Sequence, residues 1–208
     1  MRDGPAGVVA MTVWAYWSTV VLLVIYKRIR FGHGAGLLPR QRREKRLWFG
    51  IAPVVLAWNV LPILAATLSH GPFGLPRWAH GAIGFYGRCG FAALAVACYL
   101  ATVYCWLQMG RNWSMAIVPR DQTELVTGGL YGWVRHPIYS LSISLMVCTA
   151  VVVANWPMLV TAVLHVVFMY LKAGNEERYL MGRHGPTYAD YCGRVGRFVP
   201  RPRSLAGR

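Results

Sequence analysis

The sequence has few acidic residues and few charged residues of any kind. Its 208 residues include 7 Asp and Glu against 22 Lys and Arg, which gives a formal net charge of +15, and only 14% of the residues are charged. Hydrophobic residues make up 56% of the chain, and uncharged runs long enough to span a bilayer recur along it. This composition excludes an ordinary soluble domain and predicts an all-α, polytopic membrane protein.

Paired cysteines and nucleic-acid-binding motifs are also missing. The five cysteines form no Cys-x-x-Cys pair, and four of them lie in apolar runs, where a thiol behaves as a small hydrophobic group. We therefore expect no disulfide framework and no metal site. The basic residues lie mostly beside the apolar runs, where they set membrane orientation and contact lipid headgroups. We expect membrane lipids and no nucleic acid as partners, and the sequence leaves the oligomeric state open.

Three apolar runs in the first half of the chain predict three transmembrane helices. They extend from Val8 to Tyr26, from Leu47 to Leu68 and from about Phe85 to Met109. Arg88 lies near the outer end of the third run, where we expect its guanidinium to extend toward the membrane surface.

A fourth run contains 35 residues, Pro137–Leu171, without a formal charge. One helix of this length would measure about 52 Å, which is too long for one span and short for two. The turn-forming sequence ANWP at 154–157 divides the run. It predicts a tight helical hairpin of Tyr139–Ala154 and Pro157–Leu171, whose second arm continues into a cytoplasmic C-terminal helical segment. The total is about five transmembrane helices.

The distribution of Lys and Arg predicts the orientation of these helices. Eight lie between the first two runs and eight follow the last run, whereas one precedes the first run and none lies at the hairpin tip. The positive-inside rule then places the N-terminus outside and the C-terminus in the cytoplasm. Five spans satisfy that parity. The membrane would be the plasma or inner membrane of a bacterium or the endoplasmic reticulum of a eukaryote.

The hairpin should bring two groups of ionisable residues together. Arg135 and His136 directly precede it, and Glu176 and Glu177 follow it. Because a hairpin returns its ends to the same membrane face, these four side chains should be neighbours at the cytoplasmic surface. Ionisable residues that converge at a bilayer boundary indicate a functional site. Taken singly, Arg135 fits a topology anchor equally well, and the glutamates fit a solvated helix face.

The two groups also fit a known pattern. The segments GRNWSM, LVTGGLYGWVRHPIYS and, after the hairpin, EERYLMGRHGPTYADYCGRVGRFVP resemble the isoprenylcysteine carboxyl methyltransferase family over about residues 107–200. Two departures are His184, where the family usually has Phe, and Ser140, where a Gly is frequent. The matching positions are Gly110, Arg111, Ser114, Gly129, Tyr131, Val134, Arg135, His136, Pro137, Tyr139, Glu176, Glu177, Leu180, Gly185, Tyr188, Tyr191, Arg197 and Pro200.

The resemblance implies S-adenosylmethionine as cofactor and a hydrophobic or lipid-linked substrate that enters from the bilayer. The residue types agree, since the Arg135 fork can pair with a carboxylate and tyrosine faces attract a sulfonium. The residues assigned to the acceptor and the reaction are Arg111, Arg197 and Glu177. The residues assigned to the cofactor are Tyr131, Val134, Arg135, His136, Pro137, Tyr139, Glu176, Glu177, Tyr188 and Tyr191.

The same resemblance divides the single membrane domain into functional parts. Residues 1–109 supply three N-terminal helices, 110–200 the cofactor-binding methyltransferase core and 201–208 a basic tail. A prenylcysteine-type carboxylate is the favoured methyl acceptor, and a phospholipid amine or a small thiol stays open. The alternative function is an NADPH-dependent membrane sterol or enone reductase, whose last helices look similar, and a third is a non-catalytic membrane partner.

Overall fold

Five α-helices contain most of the residues that the computed structural model describes, which are 3–31, 42–68, 71–116 and 125–201. Short 3-10 turns connect them, and the described residues contain no β-strand beyond one isolated bridge between Val134 and Gly196. The helices are α1 (Gly4–Phe31), α2 (Arg42–Thr67), α3 (Ala82–Met109), α4 (Pro137–Val153) and α5 (Trp156–Arg194).

The lengths and composition of the helices make the chain an integral membrane protein. Four of them, α1, α2, α3 and α5, are long and apolar enough to cross a bilayer, and α4 is an apolar helix of 17 residues. The prediction of an all-α fold with five helices is confirmed for the described residues. Each of the first three helices begins three to five residues before the predicted apolar run, and α1 also continues five residues past it.

The predicted hairpin break between α4 and α5 lies where the ANWP sequence placed it. Ala154 ends α4 in the left-handed conformation, with a φ of 51°. Asn155 then caps α5, since its side chain accepts a hydrogen bond from the Met158 amide at 2.9 Å, as is typical of an N-cap. Pro157 occupies the first turn of α5, where its missing N–H leaves no intrahelical bond unmade.

The second arm of the hairpin is longer than a membrane span and bends near its end. Gly185 has a φ of 49° and a ψ of −124° inside α5, a conformation that disfavours any residue with a Cβ. Pro186 follows it and lacks the N–H that would continue the helical ladder. The bend redirects the last turns of α5, so that Tyr188 and Tyr191 are buried against the rest of the molecule.

The prediction that Arg88 extends toward the membrane surface is wrong. Its side chain is buried, forms an ion pair with Asp3 and donates from Nε to the Val152 carbonyl at 2.7 Å. A guanidinium inside a helix bundle needs such partners. These contacts join the residue before α1, the start of α3 and the end of α4, at the end of the bundle that includes the hairpin tip.

Aromatic side chains fill the centre of the bundle. Trp58 of α2 is fully buried, with its ring centroid 5.9 Å from that of Tyr16 in α1 and 4.9 Å from that of His165 in α5. Tyr16 also lies 5.2 Å from Trp106 of α3. The packing of α1, α2, α3 and α5 around these rings leaves a cavity that extends toward the end of the bundle opposite the hairpin tip.

Candidate functional site

Arg135, His136 and the glutamate pair meet as predicted, at the end of the bundle where α4 begins. Glu177 Oε1 accepts from Arg135 Nε at 3.0 Å and from Arg135 Nη2 at 2.9 Å. His136 Nε2 lies 3.2 Å from the same oxygen. Arg135 and His136 precede α4, whereas Glu177 is well along α5, so the hairpin creates this cluster.

The segment that follows α5 closes the cluster from the other side. The amides of Arg135 and His136 donate to the carbonyls of Gly196 at 2.8 Å and Arg197 at 3.1 Å. Ser140 Oγ donates to the Phe198 carbonyl at 2.7 Å. Ser140 is one of the two departures from the family pattern, and its hydroxyl contributes a bond that Gly could not. The returning segment places Arg197 beside Glu177.

Glu177 lies at the centre of three cationic or potentially cationic side chains. Arg197 pairs with both of its oxygens, with a distance of 3.1 Å from Arg197 Nε to Oε1. This hydrogen bond to Glu177 raises the pKa of Arg197 above its usual range. The Arg197 guanidinium also lies over the Tyr170 ring at 5.0 Å. Glu177 is therefore occupied by contacts within the protein, with its side chain 12% exposed.

Glu176 has a different environment, although it is the next residue. Its Oε2 accepts from the Tyr139 hydroxyl at 2.8 Å and lies 3.7 Å from His136 Nδ1. The Tyr139 and His136 rings stack with an interplanar angle of 5°. The Glu176 side chain is 34% exposed, almost three times the figure for Glu177. Successive helical residues point about 100° apart, and here one carboxylate faces the cavity while the other faces the arginines.

A cavity of about 230 Å³ borders the cluster. Val134, Glu177 and Arg197 lie beside it but do not form its wall. The residues assigned from the sequence that line it are Tyr131, Arg135, His136, Pro137, Tyr139, Glu176, Tyr188 and Tyr191.

One sequence-assigned residue has no described side chain. The backbone of Arg111 belongs to the 3-10 turn Gly110–Asn112, but its side chain lies outside the described part of the structure. Most of the basic tail, residues 202–208, is also outside it.

Several buried polar atoms in the cavity wall have no hydrogen-bond partner among the described residues. Two of them are Tyr131 Oη and His184 Nε2. Burial raises the pKa of the Tyr131 hydroxyl well above its ordinary value, so the group is a neutral donor. Unpaired buried polar groups are rare in proteins, and both atoms are therefore suited to a bound polar molecule. His184 was not assigned to the site from the sequence, although its departure from the family pattern was a signal.

Lys172 and Glu44 also line the cavity and were not assigned from the sequence. Lys172 Nζ donates to the Met115 carbonyl at 2.7 Å and lies 5.6 Å from the Tyr139 ring centroid. Glu44 is buried at the start of α2 and interacts electrostatically with Lys172. The sequence showed Glu44 as the one acid in a basic segment, which does not indicate that it faces inward.

The cavity is charged at one end and apolar at the other. Its apolar part contains the rings of Tyr16 and Trp17 together with aliphatic side chains of α1 and α2. An elongated molecule with one polar end and one apolar end fits such a cavity.

These features define an integral membrane protein with a polar site at one end of an apolar cavity. Residues 91–182 match the model of the isoprenylcysteine carboxyl methyltransferase (ICMT) family. This match agrees with the resemblance that the sequence motifs indicated, over somewhat less than half of the chain. The matched region begins within α3 and ends in α5, and it contains the Arg-His and Glu-Glu pairs.

A curated relative aligns with this chain over a length similar to that of the family match. Over 94 residues the chain is 32% identical to the nickel-cobalt-cadmium resistance protein NccN of Alcaligenes xylosoxydans xylosoxydans. The alignment includes 45% of this chain and 44% of that relative. Within the ranges that the structure describes, no group of three or more His, Cys, Asp or Glu side chains could hold a metal ion.

Proposed function

We propose that the protein is an integral membrane methyltransferase that moves a methyl group from S-adenosylmethionine to a hydrophobic or lipid-linked acceptor. The observation that carries the proposal is the Arg135–His136–Glu176 group at the polar end of an apolar cavity, within the region that matches a methyltransferase family. In this proposal residues 110–200 form the cofactor-binding core and residues 1–109 supply helices that complete the cavity.

The residues in the cavity wall fit the cofactor's polar groups. Its carboxylate would pair with Arg135, whose Nη1 and Nε atoms are already oriented by the Val195 carbonyl and by Glu177. Glu176 would accept from an ammonium or a ribose hydroxyl, and the unpartnered Tyr131 Oη and His184 Nε2 would bond to the remaining polar atoms. The bound cofactor supplies an electrophilic methyl group on a sulfonium cation, which tyrosine faces in the wall attract.

The protein's own contribution is alignment and exclusion of water. Methyl transfer to a carboxylate or a thiolate needs no general base, so the residues have to orient both partners and keep water out. Glu177 and Arg197 do so indirectly, because they hold Arg135 and the returning C-terminal segment in place. We assign both as positioning residues. Arg111 stays a proposed acceptor-binding residue on the strength of the family pattern.

The favoured acceptor is a prenylcysteine-type carboxylate. Lys172 supports it, because its ammonium lies in the wall between the polar and apolar ends and donates to a neutral carbonyl. Glu44 and Glu176 contribute negative charge to the same wall, which would favour a phospholipid amine instead. A tritiated-methyl assay across carboxylate, amine and thiol acceptors distinguishes them, and label on an amine alone would contradict the carboxylate assignment.

The proposed orientation follows the positive-inside rule. The N-terminus would lie outside, and the site end of the bundle, with the C-terminus, would face the cytoplasm of a bacterial inner membrane or the cytosolic side of the endoplasmic reticulum. This orientation would give the site access to a soluble cofactor.

Calorimetric titration of the purified protein in detergent tests the proposed function. We expect S-adenosylhomocysteine to bind and NADPH not to bind. Glu176→Gln should weaken S-adenosylhomocysteine at least tenfold, because a charged hydrogen bond contributes about 1.5–3 kcal/mol. Asp190→Asn is the matched control, since Asp190 is an exposed acid on α5 outside the cavity wall. Binding of NADPH alone would replace the proposal by the reductase alternative.

A further inference from the structure

Three buried polar side chains lie in the cavity wall, away from the charged cluster. They are Tyr16 of α1, Ser142 of α4 and His165 of α5, and each is at most 6% exposed. His165 precedes Glu176 by eleven residues on α5, which corresponds to about 16 Å along the helix. The group therefore lies within the membrane-crossing part of the bundle.

Two of the three side chains form a hydrogen bond, since Ser142 Oγ lies 3.0 Å from His165 Nε2. The Tyr16 hydroxyl lies next to Ser142. Trp58 packs against the imidazole, with ring centroids 4.9 Å apart and an interplanar angle of 59°. Ser142 and Trp58 together fix the orientation of the His165 ring.

The remaining ring nitrogen of His165 has no partner. Its Nδ1 atom is buried, and no described residue offers it a hydrogen bond. His165 thus lines the cavity while one of its ring nitrogens lacks a hydrogen bond from any described residue. A buried polar atom without a partner is costly, so the position calls for a group that enters the cavity.

We propose that the Tyr16–Ser142–His165 group binds an uncharged hydroxyl on the apolar part of the methyl acceptor. This inference rests on the proposed function, since it assigns the far end of the same cavity. A hydroxyl can both donate and accept, so it satisfies Nδ1 in either tautomer of the imidazole. A charged group would lack a counter-ion there, because the neighbouring wall consists of aromatic and aliphatic side chains such as Trp106, Val20 and Met169.

A pair of photoreactive probes tests the inference without any methyl transfer. The first probe is a long-chain primary alcohol with a mid-chain diazirine, and the second has a methyl group in place of the hydroxyl. Both are added at equal concentration to the protein in lipid nanodiscs, and cross-linked peptides are quantified by mass spectrometry. The alcohol should label cavity-lining peptides of α1, α4 and α5 about fivefold more than the hydrocarbon, as one neutral hydrogen bond predicts.

Variants localise the effect. His165→Phe keeps a ring against Trp58 but removes both nitrogens, so it should reduce alcohol labelling to the hydrocarbon level. Ser142→Ala should reduce the labelling only in part. Thr161→Val is the matched control, because Thr161 is a buried α5 residue outside the cavity wall whose hydroxyl bonds to the Pro157 carbonyl. It should label like the unmodified protein.

Two results would overturn the inference. One is equal labelling of the unmodified protein by the two probes. This result does not depend on whether any variant folds. The other is full alcohol labelling of a folded His165→Phe protein. Titration of the same samples with S-adenosylhomocysteine distinguishes failure of the hydroxyl-binding inference from failure of the proposed function. That ligand would bind at the charged cluster and not at His165.

Discussion

At the scale of single residues, the adjacent Glu176 and Glu177 occupy different environments. Glu177 accepts hydrogen bonds from Arg135 and Arg197, whereas Glu176 faces the cavity and accepts from Tyr139. The sequence predicts both as ligand-binding residues because they are neighbours in one motif. Their separate environments follow from the rotation of the helix, which turns one carboxylate toward the returning C-terminal segment.

Glu177→Gln should therefore lower stability first and affect cofactor affinity only through Arg135. The substitution keeps the side-chain shape but leaves two guanidinium groups without their common counter-ion, and loss of one partner of a buried pair costs about 3 kcal/mol. We expect a lower melting temperature in detergent, measured by tryptophan fluorescence. Glu176→Gln is the matched comparison and should melt close to the unmodified protein while losing cofactor affinity. If instead Glu177→Gln lost cofactor affinity and Glu176→Gln lowered the melting temperature, Glu177 would be the residue that contacts the ligand.

At the scale of elements, the site depends on a helix end and an extended segment that are not adjacent in sequence. The Arg135 amide and the Gly196 carbonyl bond at 2.8 Å, and the two segments form an isolated bridge between Val134 and Gly196. Gly196 is needed there, because a Cβ at this position would lie 1.9 Å from the Val199 carbonyl oxygen. The Val199 oxygen belongs to the backbone, so it cannot move aside as the end of a flexible side chain could.

Gly196→Ala should displace the returning segment and with it Arg197. We expect roughly tenfold weaker binding of S-adenosylhomocysteine, because shifts of about 1 Å in positioning groups have effects of this order or larger. Isothermal titration measures it. Gly193→Ala is the control, since a Cβ there would meet nothing within 4 Å. Equal affinity in the two variants would mean that the C-terminal segment does not position the site.

At the scale of the whole molecule, polar contacts lie at both ends of the bundle. The Asp3–Arg88–Val152 contacts join three helices at the hairpin-tip end, and the Arg135–Glu177–Arg197 cluster joins α4, α5 and the C-terminal segment at the other. The ends also differ in charge, because the basic last turn of α1 and the basic start of α2 lie at the site end. The proposed orientation rests on this difference.

Accessibility of single cysteines checks the orientation. In a variant whose five native cysteines are replaced, Trp156→Cys at the exposed hairpin tip and Arg77→Cys between α2 and α3 should react with a membrane-impermeant maleimide on intact cells. Arg194→Cys, at the exposed end of α5, should react only after the membrane is opened. Labelling of Arg194→Cys on intact cells, with the other two protected, would reverse the proposed orientation.

The sequence by itself determined the helices, the hairpin and the meeting of Arg135 and His136 with the glutamates. These depend on local information: apolar runs of membrane length, the ANWP break, and the fact that a hairpin returns its ends to one side. The family motif added the other cavity-wall residues, such as Tyr131 and Tyr188. Each of these signals is contained in consecutive residues or in a fixed spacing.

Only the tertiary structure decided which side chains line the cavity and which hold the lining residues in position. It turned Glu177 and Arg197 toward each other, buried Arg88 against Asp3, and placed His184 and His165 in the cavity wall. These outcomes depend on how helices rotate and pack against partners distant in sequence. A side chain's position along its own helix does not determine them, because the same residue can face lipid, another helix or a cavity according to what packs beside it.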